Sequence, residues 1–208
     1  VRVIHISPSG VLWLGSWHQG LTRFDPLTEQ FTRYQHDPLD LHKSLPSNTV
    51  YTIHEDRTGT LWIGTSAGLS KLNQETGTFT SYREKDGLPS ESIRGILSDN
   101  QDHLWVSTAR GLSEFDSERL IFVNYDITDG LQANEFAENA YFKNSTGEMF
   151  FGGTAGFNAF YPEKIVNNLY APPVILTDFL LFNQAIPIGK EGSPLSQDIS
   201  VTKQVTLN

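Results

Sequence analysis

Apolar positions along this chain come in short runs, and none recurs at the 3.6-residue spacing of an amphipathic helix. The runs share one pattern: Gly10-Val-Leu-Trp13-Leu-Gly15, Gly59-Thr-Leu-Trp62-Ile-Gly64, Asp102-His-Leu-Trp105-Val-Ser107 and Gly147-Glu-Met-Phe150-Phe-Gly152. Their aromatic positions lie 49, 43 and 45 residues apart, the length of a four-stranded propeller blade rather than of a helical repeat. Nine residues upstream of each aromatic stand Ile4, Ile53, Ile96 and Tyr141, which predicts an inner strand before each motif. Downstream, Leu21-Thr-Arg-Phe24, Leu69-Ser-Lys-Leu72, Leu112-Ser-Glu-Phe115 and Phe157-Asn-Ala-Phe160 predict third strands. Phe31-Thr-Arg-Tyr34, Phe79-Thr-Ser-Tyr82 and Phe122-Val-Asn-Tyr125 predict fourth strands, and the last unit has no such run. The fold class is therefore all-β, built of four propeller blades.

Turn chemistry agrees with this segmentation. Asp56, Asp99 and Asn144 each open a four-residue connection between the first two strands, where the side chain can accept from the backbone two residues on. Gly68, Gly111 and Gly156 supply the positive φ that a tight hairpin between the second and third strands requires. Trp13, Trp62 and Trp105 read as packing residues between neighbouring blades, because each can bury about 150–250 Å² there.

Composition narrows the function. The 208 residues carry 15 Lys+Arg against 24 Asp+Glu, for a net charge of −9, with the basic residues scattered. That balance repels phosphate backbones and argues against nucleic acid. Cysteine is absent, which removes disulfides, thiolate metal sites and Cys nucleophiles. No apolar run is long enough to span a bilayer, so any membrane contact is expected through segments outside this chain.

The pattern G-x-L-W-I-G-T-x-x-G-L with its trailing F-T-x-Y, preceded by loops such as Leu45-Pro46-Ser47-Asn48 and Gly87-Leu88-Pro89-Ser90, resembles the two-component regulator propeller repeat. The resemblance covers residues 1–165. The segment after it, Ala171-Pro-Pro-Val-Ile-Leu-Thr-Asp-Phe179, is similar to the family's junction into a three-Tyr (Y_Y_Y) β-sandwich, so 166–208 are expected to be a linker and the first strands of an immunoglobulin-like sandwich. The resemblance implies a larger ring of about seven blades, with this chain as its last four. It also implies the periplasmic sensor region of a membrane-bound two-component protein that binds a small molecule, a carbohydrate among the candidates, and relays to a cytoplasmic kinase or cyclase. Open strand edges at both ends would favour a homodimer or strand-paired assembly.

Candidate chemistry is sparse. The loop Gly15-Ser-Trp17-His18-Gln19-Gly20 is one residue longer than its counterparts and carries an aromatic beside a hydrogen-bonding His, a pair suited to stacking on a sugar ring. Arg94, Arg110, Asn48 and Asn134 sit at loop or strand-start positions facing the expected channel mouth. His36, Asp37, Asp40, His42 and Lys43 crowd the longest loop, but their spacing fits no metal-ligand pattern, so neither metal nor cofactor is expected. No nucleophile elbow, metalloprotease motif or phosphate loop is present. An enzyme similar to streptogramin lyases, using His18, His36 and His42, and a protein-binding scaffold stand as alternatives.

Overall fold

A computed structural model describes residues 1–165, 177–189, 193–195, 197–201 and 205. Residues 1–165 and 166–208 form two separate compact units.

The first unit is a row of antiparallel sheets, each a meander in chain order. Blade 1 contains β1 (Val3–Ile6), β2 (Leu12–Gly15), β3 (Leu21–Asp25) and β4 (Gln30–Tyr34). Blade 2 contains β5 (Val50–Glu55), β6 (Leu61–Thr65), β7 (Gly68–Asn73) and β8 (Thr78–Tyr82). Blade 3 contains β9 (Ile93–Ser98), β10 (Leu104–Thr108), β11 (Gly111–Asp116) and β12 (Ile121–Tyr125), and blade 4 has three strands, β13 (Phe136–Lys143), β14 (Met149–Gly153) and β15 (Gly156–Phe160). The segments predicted from the repeat thus form the predicted strands, and the unit without an F-x-x-Y run shows three strands among the described residues.

The turns form as their residues dictate. Asp56 Oδ1 accepts from the amides of Thr58 and Thr60, Asp99 Oδ1 from those of Gln101 and His103, and Asn144 Oδ1 from those of Thr146 and Glu148. The second carboxylate oxygen binds an indole, with the N–H of Trp62 donating to Asp56 Oδ2 at 2.8 Å and that of Trp105 to Asp99 Oδ2 at 3.2 Å. One residue thereby closes the hairpin and satisfies a buried indole. In blade 1 the same position is Ser7, whose hydroxyl donates instead to Glu55 at 2.5 Å, and the Trp13 indole N–H is left without a partner.

Three apolar cores lie between consecutive blades. Trp13 packs with Leu45, Val50, Ile53, Leu61 and Ile63 of the second unit, Trp62 with Leu88, Ile93, Ile96 and Leu104 of the third, and Trp105 with Phe136, Met149 and Phe151 of the fourth. All three indoles are fully buried. Phe150, their counterpart in blade 4, is only half-buried and lies beside the exposed Phe142 and Phe157. On blade 1, Ile4 is exposed, unlike Ile53 and Ile96 at the same repeat position.

Inner strands approach one another closely, and small residues allow it. A Cβ on Gly64 would lie 2.6 Å from Ile93 Cγ2 of the next blade and would also strike Thr52 beside it. Blade 3 exchanges the partners: Ser107 stands where Gly64 does, and its cross-strand neighbour is Gly95 where blade 2 has Thr52. In both blades a glycine thus faces a small hydroxyl residue, with the two placed on opposite strands.

In the second unit, β16 (Leu180–Leu181) and β17 (Gln184–Ala185) form a short hairpin turned by Phe182 and Asn183, both at positive φ, with Leu195 and Ile199 buried. Most of the segment expected to lead into a β-sandwich, residues 171–176, lies outside the described residues.

Candidate functional site at the mouth of the inner strands

The inner strands begin at one end of the blades, where the long connections arrive, and their first residues meet there. Arg2 directly precedes β1, Tyr51 is the second residue of β5, and Arg94 is the second residue of β9. Glu138 joins them from β13 through an irregularity: the register with β14 shifts between Phe136 and Tyr141, and Asn139 adopts a positive φ of 56°. A bulge of this kind re-aims a side chain. Further along, Thr52 Oγ1 and Tyr141 Oη lie 2.8 Å apart, joining blades 2 and 4.

Glu138 is the hub of the cluster. Its Oε1 pairs with Arg94 Nη1 and its Oε2 with Arg2 Nη2, so one carboxylate serves two guanidinium groups. The Arg2 guanidinium carbon lies 3.8 Å from the Trp17 ring centroid and 4.7 Å from that of Tyr51, and Arg94 lies 5.3 Å from Tyr51. Trp17 meets Tyr51 and His18 edge-on, at 6.3 Å in each case. Its main-chain carbonyl accepts from Thr49 at 2.5 Å, which pins the long loop to the next blade. Arg2 Nε and Nη1 and Arg94 Nε are buried with no hydrogen-bond partner. Burial holds the Arg2 pKa below the usual arginine value; Tyr51 opposes this and the like charge of Arg94 adds to it. The mouth therefore combines an excess of positive charge with an aromatic wall whose outer part, Trp17, is half-exposed.

The residues singled out from the sequence separate into three surroundings. Trp17, His18 and Arg94 belong to the mouth. Asn48 Oδ1 accepts from the amide of His36 at 2.7 Å, and Asn134 Oδ1 accepts from that of Ile127 at 2.8 Å. Their carbonyls accept from Gly20 and Gly111, so both asparagines close the same loop in two blades. Arg110 and Asn134 share a cavity of about 210 Å³ with Pro89, Asn124, Tyr125 and Asp126. Arg110 is exposed and 3.5 Å from Glu84. The histidines named for an enzyme do not share one set of partners: His18 is exposed against Trp17, His36 Nδ1 lies 2.7 Å from the Leu45 carbonyl oxygen, and His42 lines a cavity of about 650 Å³ beside Phe79 and Arg83. In the same loop, Asp37 and Asp40 accept from the amides of Leu39 and Lys43.

Arg2, Tyr51 and the double role of Glu138 were not singled out by the sequence. The available signal was positional: Arg2, Tyr51 and Arg94 each stand eleven residues before their blade's Trp.

Among the described residues no helix is long and apolar enough to cross a membrane. The family described as two component regulator propeller matches residues 44–67 and 87–110. Histidine kinase P4 of Formosa agariphila is 28% identical over 167 residues, which are 80% of this chain and 9% of the kinase. The solved extracellular domain of the hybrid two component system BT3049 from B. thetaiotaomicron superposes with a TM-score of 0.73 at 27% identity, covering 91% of this chain and 26% of that one. That of BT4673, at 22% identity and a TM-score of 0.65 over 78% of this chain and 23% of that one, shares the fold. The chain thus spans about a tenth of the kinase and a quarter of the solved domains. Residues 44–67 and 87–110 thus match the two component regulator propeller repeat, and the blades as a whole are similar to a histidine kinase and to the extracellular domain of a hybrid two component system.

Proposed function

We propose that this chain is part of an extracytoplasmic sensor that receives a small polar molecule, with a carbohydrate the favoured class, at the mouth formed by Arg2, Trp17, Tyr51, Arg94 and Glu138. The supporting observation is Arg2 seated in the corner formed by the Trp17 and Tyr51 rings, with Glu138 holding both arginines. An aromatic face next to charged hydrogen-bonding groups suits a ring that is apolar on one side and hydroxylated at its edge. Occupancy would be relayed through a homodimer to a kinase or cyclase on the other side of the membrane.

The test is isothermal titration with a panel of neutral and acidic oligosaccharides against the wild type, Trp17→Ala and Arg110→Ala. A hit that Trp17→Ala weakens at least tenfold, with the melting temperature unchanged and Arg110→Ala at wild-type affinity, supports the mouth. A hit that binds Trp17→Ala as tightly as the wild type overturns it.

A further inference from the structure

The repeats allow each side chain of blade 3 to be compared with its siblings, and at the end away from the mouth one constellation departs from them. Opposite each second-strand Trp the third strand places Arg23 in blade 1, Lys71 in blade 2 and Glu114 in blade 3. In blade 1 the cation pairs with Asp25, and in blade 2 it lies over the Trp62 ring. Blade 3 has an acid at that position, and its Asp116 pairs instead with Arg119 of the following turn at 3.4 Å. It also carries His103 where its siblings have Val11 and Thr60.

The result is one imidazole among three carboxylates. His103 Nδ1 lies 2.8 Å from Glu114 Oε1 and 3.9 Å from Asp99 Oδ2, and one ligand atom each of Asp99, His103 and Glu114 falls within 4.8 Å of the others. On the far side of the ring, Asp116 Oδ2 is 3.8 Å from His103 Nε2. Tyr125 donates to the second oxygen of Glu114 at 3.2 Å. Asp99 is buried and its side chain is fixed by the backbone amides and the Trp105 indole.

We propose that Asp99, His103 and Glu114 bind a divalent transition-metal ion of the zinc class. His103 Nδ1, Glu114 Oε1 and Asp99 Oδ2 are the ligands, and water completes the shell. Ligand atoms at zinc distances of about 2.0–2.2 Å stand about 3–3.5 Å apart; the spacings of 2.8 and 3.9 Å from His103 Nδ1 bracket that value, and Asp99 and Glu114, whose ligand atoms lie within 4.8 Å, would close on the ion by side-chain rotation. Imidazole nitrogen beside carboxylate oxygen suits zinc and its neighbours, whereas calcium takes oxygen alone. The outer partners support the same assignment: Asp116 faces the imidazole nitrogen that would carry the proton, and Tyr125 holds the free oxygen of Glu114. A carboxylate behind the ring and a donor on the ligating carboxylate are what orient metal ligands. The ion would join the β9–β10 turn to β11 and offset the paired charges of Asp99 and Glu114, while Arg119 already offsets that of Asp116.

The test is titration of chelator-treated, dialysed protein with Zn²⁺ by calorimetry, and with Co²⁺ by visible absorption. The expected result is one high-affinity ion per chain. His103→Ala and Glu114→Lys should each weaken binding at least tenfold, and Asp116→Asn about 10–100-fold. Because Lys is the blade 2 residue at this position, Glu114→Lys should keep the fold if His103→Ala does not, with circular dichroism as the check. A triple variant replacing His18, His36 and His42 should bind as the wild type does. Absence of saturable Zn²⁺ binding, or wild-type affinity in folded Glu114→Lys, overturns the proposal, as does loss of binding in the triple variant alone.

Discussion

The Arg2 guanidinium stacks on Trp17 with its central carbon 3.8 Å from the ring centroid, although Arg2 precedes β1 and Trp17 lies in the loop between β2 and β3. An arginine in that position is stiffened by the ring on one side and by Glu138 on the other, so the charge at the mouth is held rather than mobile. The cluster depends on its single anion.

Glu138→Gln should therefore cost about 2–4 kcal/mol, because it leaves two mostly buried guanidinium groups without a counter-charge. Urea unfolding measures the loss. Adding Arg94→Gln should restore part of it, giving a coupling of about 1–3 kcal/mol in a double-mutant cycle. Additive losses would mean that the Arg94–Glu138 pair contributes nothing specific.

Stability should fall in acid through His54. Its pKa is lowered from 6.5 to about 4, first by burial, with His5 and Lys143 adding to the effect and Asp56 and Glu55 opposing it; its Nε2 is buried without a partner. The unfolded chain takes up a proton near pH 6.5 and the folded protein only near pH 4, so the unfolded state binds more protons across that window and stability drops as pH falls through it. The full contribution is on the order of 3 kcal/mol. His54→Gln should flatten the decline between pH 7 and pH 4.5 by at least about 1 kcal/mol in urea titrations. An identical decline in both proteins would place the acid sensitivity elsewhere.

At the closest approach between blades, Gly64→Ala should destabilise by about 2–3 kcal/mol, since the added methyl meets Thr52 and Ile93 together. The arrangement of blade 3 suggests the remedy. Thr52→Gly with Gly64→Ser reproduces Gly95 and Ser107, and the pair should be more stable than Gly64→Ser alone. If the second change brings no recovery, the exchange seen in blade 3 is coincidental rather than a volume compensation.

Local pattern made much of the fold legible. Alternation, the Asp or Asn at each first hairpin and the Gly at each second are short-range signals, and a strand or turn answers mainly to its own neighbours. Repetition then multiplied a weak signal fourfold. The candidate site was less legible. Trp17, His18 and Arg94 do meet at the mouth, yet Asn48 and Asn134 read the same in sequence and have their side-chain oxygens engaged in loop closure. A loop asparagine's partner depends on how the loop folds back, which no local spacing records.

What the sequence determined by itself was the set of strands, their order within each blade, and the indoles that bury between blades, because these follow from side-chain alternation and turn chemistry along contiguous residues. Tertiary structure alone decided that Arg2, Trp17, Tyr51, Arg94 and Glu138 form one cluster and that His103 stands among three carboxylates. Both constellations arise because packing around a common axis, or pairing across a sheet, sets residues far apart in the chain side by side. In the first, a local bulge at Asn139 then turns Glu138 toward two arginines that the chain places 136 and 44 residues earlier.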